Sequence, residues 1–427
     1  MGRILIHIPM SKYGEYDVFN RVEHNEFLQH VNEVRGGNCP NVGNRLWFQG
    51  LLSEIQANEN SIEYYLPSMS KEYINDHFDL IIAPMANVFA SIYSELLKSL
   101  AERFAGIRIP VYVIACGIQA DSFDELDDLC EDLREAASAF ISSIYETGGE
   151  FALRGYFTKE FFERLGFSSA VVTGCPSLYQ MGRNLSISSN VVPEKEFRPL
   201  FNGTLENYCG LMKEYENAEF FDQHIYFHEL WDEQYINDSN CLRKMINRYG
   251  IDTTQCLLQD RVKLIPDMND WREYLISNGY SMSYGSRIHG SIMPILAGIP
   301  ALLEIRDART REMAEFFDIP CVEANRHRKE ALYSLYQKVD YSKFNLRFAE
   351  RFDAYEAFLK KCGIVKRVSD NNMFFHRLDH VPVTSMCSDK RKRMLGMLER
   401  CRPYWLMYER TAKIRHKMDR LIRSNAI

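Results

Sequence analysis

The sequence predicts an α/β protein built from two Rossmann-like domains facing a cleft, with a basic helical C-terminal tail. Three observations predict it. Short apolar runs alternate with amphipathic stretches along most of the chain, the pattern of strand–helix units joined by right-handed crossovers. The length of 427 residues exceeds one typical domain and suits two α/β domains with additions. Charge is unevenly placed: Lys390 to Ile427 holds twelve Lys/Arg and three Asp/Glu, a net of +9 in a chain of net −7, so the body carries −16. An acidic body with a basic tail points to a partner for the tail.

In chain order, Arg3 to Ile8 reads as the first strand, and Tyr13 to Val34 as mixed and partly helical. Arg35 to Arg45 is a turn-rich loop containing Asn41-Val-Gly43-Asn44, and an amphipathic helix follows from about Leu46 to Gln56. A Gly/Asn loop between a first strand and a helix stands where doubly wound sheets bind ligands, although a plain connection fits it as well. Phe78 to Ala83 is a strand with Asn87 past its end; Ser91 to Phe104 is a helix. Pro110 to Ala115 is a strand running into Cys116-Gly-Ile-Gln119, and Asp121 to Ile144 is helical. Glu150 to Leu153 is a short strand, Arg154 follows it, and Lys159 to Leu165 is a helix closed by Gly166. Ala170 to Thr173 is a strand followed by Gly174-Cys-Pro-Ser177.

Residues 182–200 are polar, with Ser, Asn and Pro, and read as a linker. Asn202 to Tyr215 fits no single element, and Phe220 to Leu230 has the aromatic content of a strand. His224, His228 and Glu229 form an incomplete ligand set, so no metal is expected. Cys241 to Tyr249 and Asp267 to Ser277 read as helices, Arg261 to Ile265 and Tyr280 to Tyr284 as strands. Arg309 to Phe317 is a helix, Cys321 to Glu323 a strand, and Tyr341 to Cys362 a long amphipathic helix of the kind that crosses back to a first domain.

The chain is organised around Ser283-Tyr-Gly-Ser-Arg287-Ile288-His289-Gly290, an apolar helix over Ser291 to Ala297, the stop Gly298-Ile-Pro300, and the buried strand Ala301 to Ile305. Arg287 and His289 stand where a strand gives way to a helix, beside unpaired amides that favour an anion. Arginine adds a planar fork for carboxylate or phosphate, and histidine a group that titrates near neutral pH. Arg154 repeats that placement. Taken singly, each reads first as a surface cation or a packed histidine; Arg287 and His289 together at one strand-to-helix switch favour a functional reading.

Ser286-Arg-Ile-His-Gly290 with Gly298-Ile-Pro300, Arg154-Gly-Tyr-Phe-Thr158, Gly174-Cys-Pro-Ser177 and Asn41-Val-Gly-Asn44 resemble the motifs of the polysaccharide pyruvyl transferase family. The resemblance implies a glycosyltransferase-B-like fold and transfer of pyruvate from phosphoenolpyruvate to two hydroxyls of a sugar, with no cofactor. It implies His289 and Arg287 as catalytic, and Arg154, Arg287, Ile288, His289, Gly290, Asn41, Gly43, Asn44, Gln119 and Ser177 as substrate-binding. Glu304 and Asp307 are candidates for the base. The competing readings are a nucleotide-sugar glycosyltransferase, for which Glu304 would take a ribose, and a non-catalytic sugar- or anion-binding relative. The domains expected are residues 1–181, the linker 182–200, 201–340 with the donor site, the crossing helix 341–363 and the tail 364–427.

Composition narrows the rest. Hydrophobic content of 46% fills sizeable cores and excludes disorder. Eleven cysteines without a Cys-x-x-Cys fit reduced thiols and a cytoplasmic protein. The expected partners are phosphoenolpyruvate and a sugar acceptor, lipid-linked where the tail over 391–427, with Trp405 and Tyr408, lies on an anionic membrane surface. Docking of the tail on the acidic body, or an oligomer contact, is the competing reading; an acidic body argues against nucleic acid.

Overall fold

The computed structural model describes residues 2–7, 61–66, 68–188, 190–223, 237–263, 265, 268–364 and 388–424, with Gly43, Leu46, Trp47, Gly50, Leu51 and Ile55; side chains of the last helix are described from Asp389 to Met407. Asn41, Asn44, and the trio His224, His228 and Glu229 lie outside the described residues. Strands are β1 (Arg3–Ile6), β2 (Ser61–Tyr64), β3 (Leu80–Pro84), β4 (Val111–Cys116), β5 (Glu150–Leu153), β6 (Val171–Val172), β7 (Pro199–Asn202), β8 (Glu219–Phe221), β9 (Val262–Lys263), β10 (Met282–Gly285), β11 (Ala301–Ile305) and β12 (Cys321–Glu323). They build an α/β fold with two Rossmann-like parallel sheets. The chain divides into two compact units, residues 1–198 with 266–380, and residues 199–265 with 381–427.

In the first unit β1 to β6 pair in parallel in the order β2-β1-β3-β4-β5-β6. All five residues of β3 are buried, as a strand covered on both faces requires. The helices Ser94–Phe104, Leu126–Glu146 and Tyr156–Arg164 supply the cover through Leu97, Leu100, Phe104, Leu133, Phe140, Ile144, Phe161 and Phe162, which form one core with Val111, Val113 and Phe151. Each such side chain contributes about 1.5–3 kcal/mol by burial. Of the amphipathic stretch near residue 50, Leu46, Trp47, Gly50, Leu51 and Ile55 are helical and buried, at one-face spacing. β2 escaped the sequence reading because Ser61-Ile-Glu-Tyr64 is too polar for a buried run; it is paired with β1 alone, at the sheet edge.

The same unit holds β10, β11 and β12, parallel and adjacent in that order. The helix Ile288–Leu296 follows β10 and starts three residues earlier than its apolar spacing predicts, so Ile288, His289 and Gly290 make its first turn and Arg287 is its N-cap. Pro294 sits mid-helix, where its ring takes no amide bond and Gly298 at φ 80° ends the run. The long helix Ser342–Lys361 returns to the first sheet's side of this unit: Phe358 meets Tyr112 of β4, Tyr355 stacks on Tyr179 at 4.7 Å, and Arg183 pairs with Asp353 at 2.7 Å.

In the second unit β7, β8 and β9 run parallel in sequence order. Arg261 donates to the carbonyls of Met212, Tyr215 and Ala218, closing the end of the Cys209–Glu214 helix. The helix Asp238–Leu258 is longer than the spacing predicts and bends at Gly250, whose φ of 78° only glycine adopts freely. The closing helix Ser388–Ser424 packs on it within this unit. Arg393 reaches Asp238 at 2.7 Å, Arg402 reaches Asp252 at 2.9 Å, and Arg391 pairs with Asp260. Lys390, Arg391, Met394 and Leu398 are buried. The aspartates keep 24% to 54% of their side-chain surface in solvent, which makes the ion pairs modest contributors, so the apolar contacts carry the docking. Leu398→Ala is therefore expected to cost about 2–5 kcal/mol in thermal denaturation. Tyr404→Ala, at a residue 73% exposed, is expected to cost nothing measurable.

Candidate anion site in the first unit

Four strand ends of the first unit supply one cluster. β5 ends at Leu153, and Arg154 is tied to β4 by its backbone amide, which donates to the Cys116 carbonyl at 2.8 Å. The side chain turns inward, 4% exposed, and its Nη1 donates to Asn87 Oδ1 at 2.5 Å, past the end of β3. Burial lowers the Arg154 pKa, in part offset by Cys175, Glu312 and Cys116 and reinforced by Arg309. Its Nε is buried without a partner. An unpaired donor on a buried cation is costly unless a ligand completes it.

His289 is half-buried in the first turn of the Ile288–Leu296 helix. Its pKa is pushed down to about 3, first by burial, then by Arg154, Arg309 and Arg287. Three guanidinium groups thus bear on one imidazole and, with burial, hold it neutral. Arg309 is the cation that the sequence reading passed over. It stands in the first turn of the Ala308–Phe317 helix, donates from Nη2 to Asp307 Oδ2 at 3.1 Å, and like Arg154 keeps a buried Nε without a partner. It carries the same signal as Arg154 and Arg287, a cation just past a strand end, one residue inside its helix. Asn87 and Glu312 join the cluster as well; Glu312, mid-helix, gives no sequence signal.

The other predicted residues divide. Ile288 and Gly290 are buried in the first turn beside His289. Gln119 is exposed on the loop after β4, held by its amide on the Phe89 carbonyl at 2.9 Å. Ser177 is fully buried, and its hydroxyl donates to Cys175 Sγ at 3.1 Å, so the side chain is engaged internally. Cys175 is itself buried. Gly43 is helical and buried, and Asn41 and Asn44 lie outside the described residues. No group of three or more His, Cys, Asp or Glu able to hold a metal occurs among the described residues.

Two candidate bases are corrected. Glu304 is 0% exposed, and both its oxygens are taken: Tyr284 donates at 3.2 Å and the Asn325 amide donates to Oε1, while Arg306 donates to Oε2 at 3.0 Å. That carboxylate is bound into the end of its own sheet and is not offered to a hydroxyl or a ribose. Asp307 caps the Ala308–Phe317 helix, accepting the Thr310 amide at 2.7 Å in a capping box.

A family model described as polysaccharide pyruvyl transferase matches residues 44–303, which include Arg154, Ser177 and Arg287 to Gly290 and stop short of Arg309 and Glu312. No curated protein matches the sequence. Among solved structures, a putative UDP-N-acetylglucosamine 2-epimerase from Listeria monocytogenes is similar at 9% identity, over 86% of this chain and 98% of that one, with a TM-score of 0.39. The S. aureus MnaA–UDP co-structure is similar at 11% identity over 86% and 98%, with a TM-score of 0.38. The glycosyltransferase SnogD from Streptomyces nogalater is similar at 11% identity over 85% and 99%, with a TM-score of 0.33.

Proposed function

The chain belongs to the polysaccharide pyruvyl transferase family, and from that premise we propose that it transfers a pyruvyl group from phosphoenolpyruvate to two hydroxyls of a sugar. The observation that carries the donor is the cluster itself: three arginines bear on His289, and two of them keep a buried Nε unfilled. Phosphoenolpyruvate brings a phosphate and a carboxylate on adjacent positions, so it needs several fixed cations at once.

In the reaction both sugar oxygens bond to C2 of the donor, the C2–O bond to phosphate breaks, and C3 gains a proton to become methyl. One hydroxyl proton balances C3 and the other leaves on inorganic phosphate. Arg154, Arg287 and Arg309 hold the anionic groups and stabilise the departing phosphate. His289, neutral among the three guanidiniums, receives the donor; the charge of the donor's phosphate and carboxylate opposes theirs and raises the imidazole's basicity, which lets it carry a proton at that stage.

Calorimetric titration with phosphoenolpyruvate beside a panel of nucleotides and nucleotide sugars tests the donor. Binding of phosphoenolpyruvate alone is expected; binding of a nucleotide alone would overturn the reading. Arg287→Lys is expected to lower kcat/KM by about a hundredfold although charge is kept, because the planar fork is lost. Phosphate release measured against donor concentration checks it.

The acceptor is proposed to be a lipid-linked sugar met at the cytoplasmic face of a membrane. No helix among the described residues is long and apolar enough to cross one. On the closing helix Tyr404 and Met407 are 73% and 65% exposed. Exposed apolar groups on a basic helix suit an interfacial contact. Vesicle co-sedimentation is expected to show salt-sensitive binding to anionic lipid that a truncation after Met407 weakens without lowering the melting temperature.

A further inference from the structure

The Tyr156–Arg164 helix begins two residues after Arg154, and its N-cap is Gly155, which has no side chain to cap it. The cap comes from a distant part of the sequence. Glu312, on the Ala308–Phe317 helix, accepts the Thr158 amide on Oε1 at 2.7 Å and the Thr158 hydroxyl on Oε2 at 3.0 Å. Thr158 is the third residue of its helix, the position whose amide a capping side chain ordinarily takes. Its hydroxyl oxygen also accepts the Ile118 amide at 3.3 Å, so the tie extends to the loop after β4.

The surroundings are shaped to admit this carboxylate. A Cβ on Gly155 would stand 2.2 Å from Glu312 Cγ, so the position has room for glycine only. A Cβ on Gly174 would stand 2.5 Å from rings of both Phe316 and Phe317, which seats the far end of the same helix. The near end is held by the Ala308 amide on the Ala120 carbonyl at 3.0 Å. Glu312 itself is 2% exposed. Arg309 projects from the first turn of the helix thus held, and Arg154 stands directly before the helix that Glu312 caps.

We infer that Glu312 is a positioning residue of the anion site: by capping the Tyr156–Arg164 helix from across the unit, it fixes Arg154 relative to Arg309 and His289. The inference rests on the anion-site reading of the preceding section. A capped helix start holds the Arg154 junction in one arrangement, so the guanidinium is set before the donor arrives. The charged groups that act on Glu312 are Arg154 and Glu315, of opposite sign, and burial weighs more than either.

The test is calorimetric binding of phosphoenolpyruvate to the full chain, at a temperature where each variant is folded by circular dichroism. Glu312→Gln keeps an acceptor for the Thr158 amide and is expected to bind within about threefold of the unaltered protein. Glu312→Ala removes the cap and is expected to bind at least about tenfold more weakly, which corresponds to about 1.4 kcal/mol. Glu312→Asp draws the carboxylate back by one methylene while keeping its charge; it is expected to weaken binding likewise, and serves if the alanine variant does not fold. In the Arg154→Ala background the loss caused by Glu312→Asp should largely vanish, since it acts through Arg154. A folded Glu312→Asp protein with unaltered affinity overturns the inference. So does a glutamine variant as weak as the aspartate one, since charge and not the cap would then be at work. If instead Arg154→Ala alone binds normally, the anion-site reading itself fails.

Discussion

Arg154→Ala is expected to lower kcat/KM for phosphoenolpyruvate by about a hundred- to a thousandfold while leaving thermal stability unchanged or slightly raised. The two expectations come from the same geometry. The guanidinium is buried, bonded to Asn87 at 2.5 Å, with Nε unfilled. A buried charge without a full set of partners costs the fold several kcal/mol of desolvation, and removing it relieves that cost. Against this stand the lost bond to Asn87, worth about 1–3 kcal/mol if Asn87 is left unsatisfied, and the small cavity. The terms oppose and nearly cancel. A residue held at no benefit to the fold, whose loss removes the reaction, is the signature of a site that trades stability for function. Phosphate release and a thermal melt on the same preparation decide it. A protein that melts many degrees lower yet keeps its donor affinity would make Arg154 a structural residue.

What the sequence made legible follows a physical pattern. β5, β11 and β12 were readable at their bounds because each starts at a backbone breaker, Gly149, Pro300 or Pro320, and β5 and β11 stop at an arginine. Arg154, Arg287 and His289 were singled out as cations between strand and helix, and the structure brings them together. The same argument applied to carboxylates misled at Glu304 and Asp307. An acid at a strand end has a good structural use, capping an amide or closing a buried network, and both residues are so used. Glu312 was not readable at all. Its role exists only because Gly155, 157 positions earlier in the chain, leaves it room. Nor could the tail be apportioned from charge alone, since Arg391, Arg393 and Arg402 are spent on aspartates of the second unit.

His289→Asn is expected to separate binding from turnover. Asparagine keeps a hydrogen bond to an anion but cannot carry a proton, so affinity for phosphoenolpyruvate should change little and kcat should fall by about 10²–10⁴. The pH dependence should also depart from that of an ordinary histidine. In the free protein the pKa is pushed down to about 3, so kcat/KM should show no inflection between pH 6 and 8 from His289. An inflection there that the asparagine variant removes would contradict a neutral imidazole in the free protein. Donor binding adds negative charge beside the ring, so the complex should take up protons, seen as a dependence of binding heat on buffer ionisation that His289→Asn reduces. Stability supplies an independent check with opposite signs at two groups. His289 has a folded pKa below its unfolded value, so its contribution is full above about pH 6.5 and is lost as pH falls toward 3. Glu312 has a folded pKa raised to about 7 by burial, against the Thr158 bonds and Arg154. Its contribution is full below about pH 4.5 and is lost as pH rises through 7. His289→Asn should therefore flatten the acid side of the stability curve and Glu312→Gln the neutral side, and melts from pH 4 to 8 on the two variants measure each separately.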